Sequence, residues 1–126
     1  MLTHAPVMTM LPVKDVERAR AFYVDKLGLE PEGLAADGKF VLRANGTKLG
    51  LIPKPEGTKA EHTALGFEVD DLAAEIKALK ARGVAFHDYD FPGFKTLNHM
   101  IVLGSDKAAW FSDTEGNILC LHQDIS

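Results

Sequence analysis

One cysteine, one tryptophan and two tyrosines stand in 126 residues. A lone Cys120 cannot close an internal disulfide, which fits a reducing compartment. Basic excess is also missing: 14 Lys and Arg stand against 18 Asp and Glu, a net charge of −4. Such a balance cannot neutralise a phosphate backbone, so nucleic acid is not an expected partner. No stretch approaches about 18 consecutive apolar residues, and no charged region followed by an apolar run opens the chain. Neither a membrane partner nor an export signal is expected, and the expected location is the cytoplasm. What is present is ordinary globular material, 46% apolar and 25% charged. That composition excludes disordered and fibrous classes.

Val7 to Val13 (VMTMLPV) is short and apolar, and Pro12 suits an edge or end strand. Asp15 sits where a helix N-cap belongs, with Glu17 in the first turn. Val16, Ala19, Tyr23 and Leu27 follow at steps of three and four, an apolar stripe of helical period. Gly28 stops the helix, and Leu29 is the apolar residue common just past a glycine cap. Strands are predicted at Leu29 to Leu34, Lys39 to Ala44 and Thr47 to Ile52. Asp37-Gly38 and Asn45-Gly46 separate them, dipeptides that supply the positive φ of tight hairpins.

After the polar stretch from Lys54 to Lys59 the order begins again. Leu65, Phe67 and Val69 alternate through a strand, and Asp71 opens a helix carrying Leu72, Ile76 and Leu79. Gly83-Val84 closes it. Strands are expected at Val84 to His87, Ala108 to Ser112 and Ile118 to His122, with a further short one around His99 to Leu103. Asp15 and Asp71 are 56 residues apart, and Gly28 and Gly83 are 55 apart. The cap, stripe, stop and three-strand tail all recur, so the chain reads as β-α-β-β-β written twice. A half of this size is marginal alone. Two halves whose small sheets curl around a shared concavity would place function on the inward sheet faces.

Three runs carry a family resemblance: Val13 to Leu29 (VKDVERARAFYVDKLGL), Gly66 to Leu72 (GFEVDDL) and Ala109 to Asn117 (AWFSDTEGN). Together and in order they resemble the vicinal oxygen chelate superfamily, the group of glyoxalase I, bleomycin-resistance proteins, fosfomycin-resistance proteins and extradiol dioxygenases. The resemblance implies an α+β fold of two βαβββ modules forming a curled mixed sheet around a central cleft. Residues 1–126 would form one domain, with modules over 4–53 and 62–123. It does not by itself fix a function, because the group contains isomerases, transferases, oxygenases and binding proteins.

Family enzymes hold a divalent metal through strand residues, and the resemblance places those positions at Met8, Ala64 and Cys120. A thioether, a methyl group and a thiol do not suit Mg, Mn or Fe. No metal and no other cofactor is therefore expected. His62 and His122 lie two residues from Ala64 and Cys120, which leaves a His62–Cys120–His122 zinc set as an alternative.

Strand parity sorts the rest. Leu11 and Val13 should face the helix, leaving Met8 and Met10 on the cleft side. His62, Ala64, Gly66 and Glu68 share that side on the fifth strand, as do Ile118, Cys120 and His122 on the last strand and Trp110 beside it. Met8, Met10, His62, Ala64, Gly66, Glu68, Trp110, Cys120 and His122 are thus the expected ligand-binding residues, and no catalytic residue is assigned. Met adapts to irregular shapes and Trp offers a flat stacking face, so a soft apolar pocket is expected; a closed core is the plainer alternative. Cys120 reads as a small buried hydrophobe, or as a nucleophile if an imidazole lowers its pKa. His4, His87 and His99 read as surface or turn residues, and Tyr89 to Lys95 as an aromatic-rich loop that covers the cleft, meets a second subunit or packs locally. The leading expectation is metal-independent binding of a small, partly apolar molecule by a homodimer. The rivals are a glyoxalase-type lyase or isomerase with a non-standard metal site, and a protein whose cleft its own side chains close.

Overall fold

A computed structural model describes residues 1–126 as two compact units, Met1–Lys59 and Ala60–Ser126. In the first unit the elements run β1 (Met8–Val13), α1 (Val16–Ala21), a π-helical turn (Phe22–Lys26), β2 (Glu30–Leu34), β3 (Phe40–Ala44) and β4 (Thr47–Pro53). The sheet order is β1-β4-β3-β2, with β1 parallel to β4 and the other pairs antiparallel. Pro12 is tolerated because β1 lies at the sheet edge. Asp15 caps α1, its carboxylate accepting from the Arg18 N–H at 3.0 Å. Asn45 (φ 48°) and Gly46 (φ 80°) form the β3–β4 turn in the paired left-handed conformation such a hairpin requires. Leu11, Val13, Leu42, Leu49 and Leu51 are buried on the sheet face that α1 covers.

The second unit runs β5 (Thr63–Glu68), α2 (Leu72–Ala81), β6 (Asp90–Phe91), β7 (Phe94–Lys95), β8 (Ile101–Leu103), β9 (Asp106–Ser112) and β10 (Ile118–Asp124). Its main sheet has the order β5-β10-β9-β8, the same sequence of positions as in the first unit. Asp71 caps α2 by accepting from the Ala74 N–H at 3.1 Å, and Leu72, Ile76 and Leu79 are buried. No helix is long and apolar enough to cross a membrane.

Two expectations need correction. Val84 to His87 is not a strand; it contributes one bridge, Phe86 to Phe111. Val84 and Phe86 are buried in alternation, but the chain then departs into the β6–β7 ribbon, and Ile101–Leu103 takes the outer sheet position instead. Leu65, Phe67 and Val69, placed by alternation on the face opposite His62 to Glu68, are only half-buried, and α2 packs chiefly against β9 and β10.

The offset of 56 against 55 also finds its cause. Both helices end with a backbone bond from the residue after the glycine: Val84 N–H to Leu79 C=O at 3.0 Å, and Leu29 N–H to Tyr23 C=O at 3.0 Å. The first spans five residues and the second six. The surplus residue lies in the π-helical turn, where the Leu27 N–H reaches back to the Phe22 C=O at 3.2 Å. Phe22 and Tyr23 are consequently both buried, their rings edge to face at 5.4 Å.

Candidate functional site

Each sheet has one face packed on its helix, and chemistry is available on the other. In the first unit, the register sets Met10 beside Gly50 and Gly50 beside Val41 on that face. Gly50 matters for its missing side chain: a Cβ there would lie 2.9 Å from the Met10 Sδ and 3.3 Å from the Met8 Sδ. Two thioethers therefore lie over bare backbone, with Met10 52% exposed. The same face ends in an ion-pair group, where Arg43 meets Glu30 at 2.6 Å and Lys48 meets Glu32 at 3.2 Å.

In the second unit, Trp110 lies beside Cys120, and Cys120 beside Gly66, in one row across β9, β10 and β5. The next row sets Ala108, His122 and Glu68 side by side. The register shifts between Ile118 and Leu119, so that Ile118 pairs with Thr63, Leu119 pairs with Leu65, and Ala64 is the extra residue of a bulge. Thr63 is thereby brought to Trp110, whose indole N–H donates to the Thr63 hydroxyl at 3.1 Å. His62 is exposed in the bend before β5, so strand alternation does not carry it onto this face.

Rings complete the surface. Tyr89 stands edge-on to Trp110 at 5.8 Å, Phe94 lies 5.8 Å from Trp110, and Tyr89 and Phe94 are 5.7 Å apart. Phe91, at the tip of the β6–β7 ribbon, is 60% exposed and 6.2 Å from Tyr89. His87 is no surface residue: its half-buried ring bridges the Tyr89 hydroxyl at 3.0 Å and the Ser112 hydroxyl at 2.9 Å. Alternation finds Trp110, Cys120, Gly66, Glu68 and His122. It misses Thr63, Tyr89, Phe94 and His87; the aromatic run at Tyr89 to Lys95 was the available signal for the two rings, and Thr63 and His87 had none.

Burial and the nearby Asp106 carboxylate push the Cys120 thiol up from 9.0 to about 11. Burial, followed by the neighbouring Cys120, raises the Tyr89 phenol. Both groups are neutral near pH 7, and a thiol shifted upward in this way carries little of the thiolate that nucleophilic attack needs. Two units less acidity means about 100-fold less thiolate at pH 8. Alkylation of the folded protein by iodoacetamide, followed by mass spectrometry, should be slower than that of the unfolded chain by at least that factor. Because the native state keeps this proton where the unfolded state loses it, Cys120 costs no stability below pH 9.0 and progressively more up to about 11.

The family metal fits this face poorly. No group of three His, Cys, Asp or Glu is placed to hold an ion. His122 faces Asp106 at 3.5 Å, without a third ligand. Every buried side-chain nitrogen and oxygen already has a partner, so none is left waiting for a metal.

The family model for the Glyoxalase/Bleomycin resistance protein/Dioxygenase superfamily matches residues 5–121. No curated protein matches the chain. Among solved structures, TnmS3, an antibiotic binding protein from Streptomyces sp. CB03234, is 27% identical with a TM-score of 0.76, covering 98% of this chain and 98% of its own. A glyoxalase/bleomycin resistance protein from the same organism is also 27% identical, with a TM-score of 0.69 over 94% of this chain and 100% of its own. A superfamily member from Sphaerobacter thermophilus DSM 20745 shares the fold at 22% identity, with a TM-score of 0.76 over 98% and 100%.

Proposed function

Since the chain belongs to the Glyoxalase/Bleomycin resistance protein/Dioxygenase superfamily, whose members share a fold and not a chemistry, we propose that it binds a small, flat, partly apolar molecule without a resident metal. The observation that carries this reading is the Trp110–Tyr89–Phe94 ring cluster on the open face of the second sheet. Aromatic rings at these separations present both faces and edges to an incoming ring, and contact of this kind is worth about 0.5–1.5 kcal/mol beyond area burial. Thr63, His87 and the Tyr89 hydroxyl add polar groups that orient a ligand. On the open face of the first unit, Met8 and Met10 over Gly50 form a separate soft apolar patch. The antibiotic-binding relative at 27% identity supports a ligand of antibiotic type. With a neutral Cys120 and Met8 and Ala64 at the other ligand positions, the face lacks a nucleophile and a Lewis acid, which favours sequestration over turnover. The working form in this reading is a cytoplasmic homodimer, which would cover the outer strands and exposed apolar residues such as Met10 and Phe91.

Trp110 is the sole tryptophan, so its emission reports directly. Titration with a panel of flat polycyclic aromatic antibiotics should give saturable quenching, while aliphatic compounds of similar mass should not. By calorimetry, Trp110→Ala should weaken the best ligand by about 1–3 kcal/mol, and Trp110→Phe by less. Neither a chelator nor added Mn, Ni or Zn should move the binding curve. Loss of binding on chelation would overturn the metal-free reading, and absence of quenching across the panel would overturn ligand binding on this face.

A further inference from the structure

We propose that the groove between α2 and the Asn98–Met100 turn is a second binding site, for a small organic anion with an apolar body, such as a carboxylate on an aryl-alkyl chain. This open groove has a volume of about 390 Å³, within the range of small-molecule pockets of about 300–1,000 Å³. Ile76 and Met100 supply its apolar wall, and Lys77 and Lys80 bring two ammonium groups to it from successive turns of α2. Its far wall is a two-residue hairpin turn: Asn98 (φ 53°) and His99 (φ 70°) are consecutive left-handed residues between Leu97 and Met100, which exchange backbone hydrogen bonds at 2.8 and 3.0 Å.

The His99 side chain is fixed on three sides. The Lys80 ammonium donates to Nε2 at 3.0 Å, so the other ring nitrogen carries the proton and donates to the Asp88 carboxylate at 2.9 Å. The ring also lies 5.9 Å from the buried Phe86 ring at 33°. Asp88 accepts in addition from the Thr96 hydroxyl at 3.3 Å, so its negative charge is engaged behind the imidazole. One of the three N–H groups of Lys80 is used by His99, which leaves two for an incoming acceptor. The partial negative charge at the carboxyl end of α2 is about half a unit, against two full charges on the lysines. An anion is the complementary head group, and the wall at Ile76 and Met100 asks for an apolar tail.

The test is a ¹H–¹⁵N NMR titration of the full chain with 4-phenylbutyrate, beside 4-phenylbutylamine and 4-phenylbutanol. Phenylbutyrate should shift amides of α2 and of Asn98 to Met100, and bind at least about tenfold tighter than the alcohol or the amine. Lys80→Ala should weaken it about tenfold, with Lys80→Arg close to the parent. Trp110→Ala should leave it unchanged, which separates this site from the ring cluster. Equal affinity of acid, alcohol and amine, shifts centred on Trp110, or no shift at about 10 mM ligand would each overturn the proposal.

Discussion

Replacing Phe111 with alanine should remove about 3–5 kcal/mol of stability, the cost of emptying a large aromatic site in a packed core. The Phe111 side chain is fully buried. Its ring lies 5.3 Å from Phe86 at 59°, and its backbone joins three segments through Leu119 in β10 and the isolated bridge to Phe86. Removal of the ring leaves a cavity that rigid strands cannot close. Urea unfolding should show a lower midpoint with an unchanged slope, while Phe111→Leu should cost less, because it keeps most of the buried apolar contact. A loss below about 1 kcal/mol for the alanine variant would mean that the site collapses and that Phe111 does not organise the core.

Asp113→Ala should be nearly as damaging, about 3–4 kcal/mol, through hydrogen bonds rather than volume. One carboxylate oxygen of Asp113 accepts from the Glu115 N–H and the Asn117 N–H, each at 2.8 Å. The other oxygen accepts from the Asn117 side-chain amide at 2.8 Å. Asp113, Glu115 and Asn117 are all buried, so truncation strands donors that water cannot reach. Asp113→Asn keeps an oxygen for the two backbone donors and should recover about half the loss. Equal loss in both variants, measured by the same unfolding titration, would show that charge and not acceptor geometry holds the turn.

The legible parts of this fold were those written in a few adjacent residues. Asp15 and Asp71 as caps, Gly28 and Gly83 as stops and Asn45-Gly46 as a hairpin each act through their own backbone. The same locality explains the mistaken strand. Val84 and Phe86 alternate in burial whether they form a ladder or one bridge, and only Ile101–Leu103, three residues long, decides which segment joins β9. On the open face, period-two alternation carries Trp110, Cys120 and His122 correctly because β9 and β10 are regular. It fails only at the start of β5, where the bulge at Ala64 depends on pairing with a strand more than fifty residues away. His87 was unreadable for a similar reason: its partner Ser112 is 25 residues distant.

The surplus residue of the first helix has a meaning in descent as well as in geometry. Two units with the same strand order, caps and stops are what tandem duplication of one ancestral segment leaves behind. A residue gained or lost inside a regular helix turns everything beyond it by about 100° and would carry the stop glycine off its mark. The widened turn at Phe22–Lys26 confines that rotation to a single loop of backbone, so the closing bond still forms between Leu29 and Tyr23. One copy could therefore change length by a codon while the strands after it stayed in register. An alignment of the two halves should carry its gap there, between Tyr23 and Leu29.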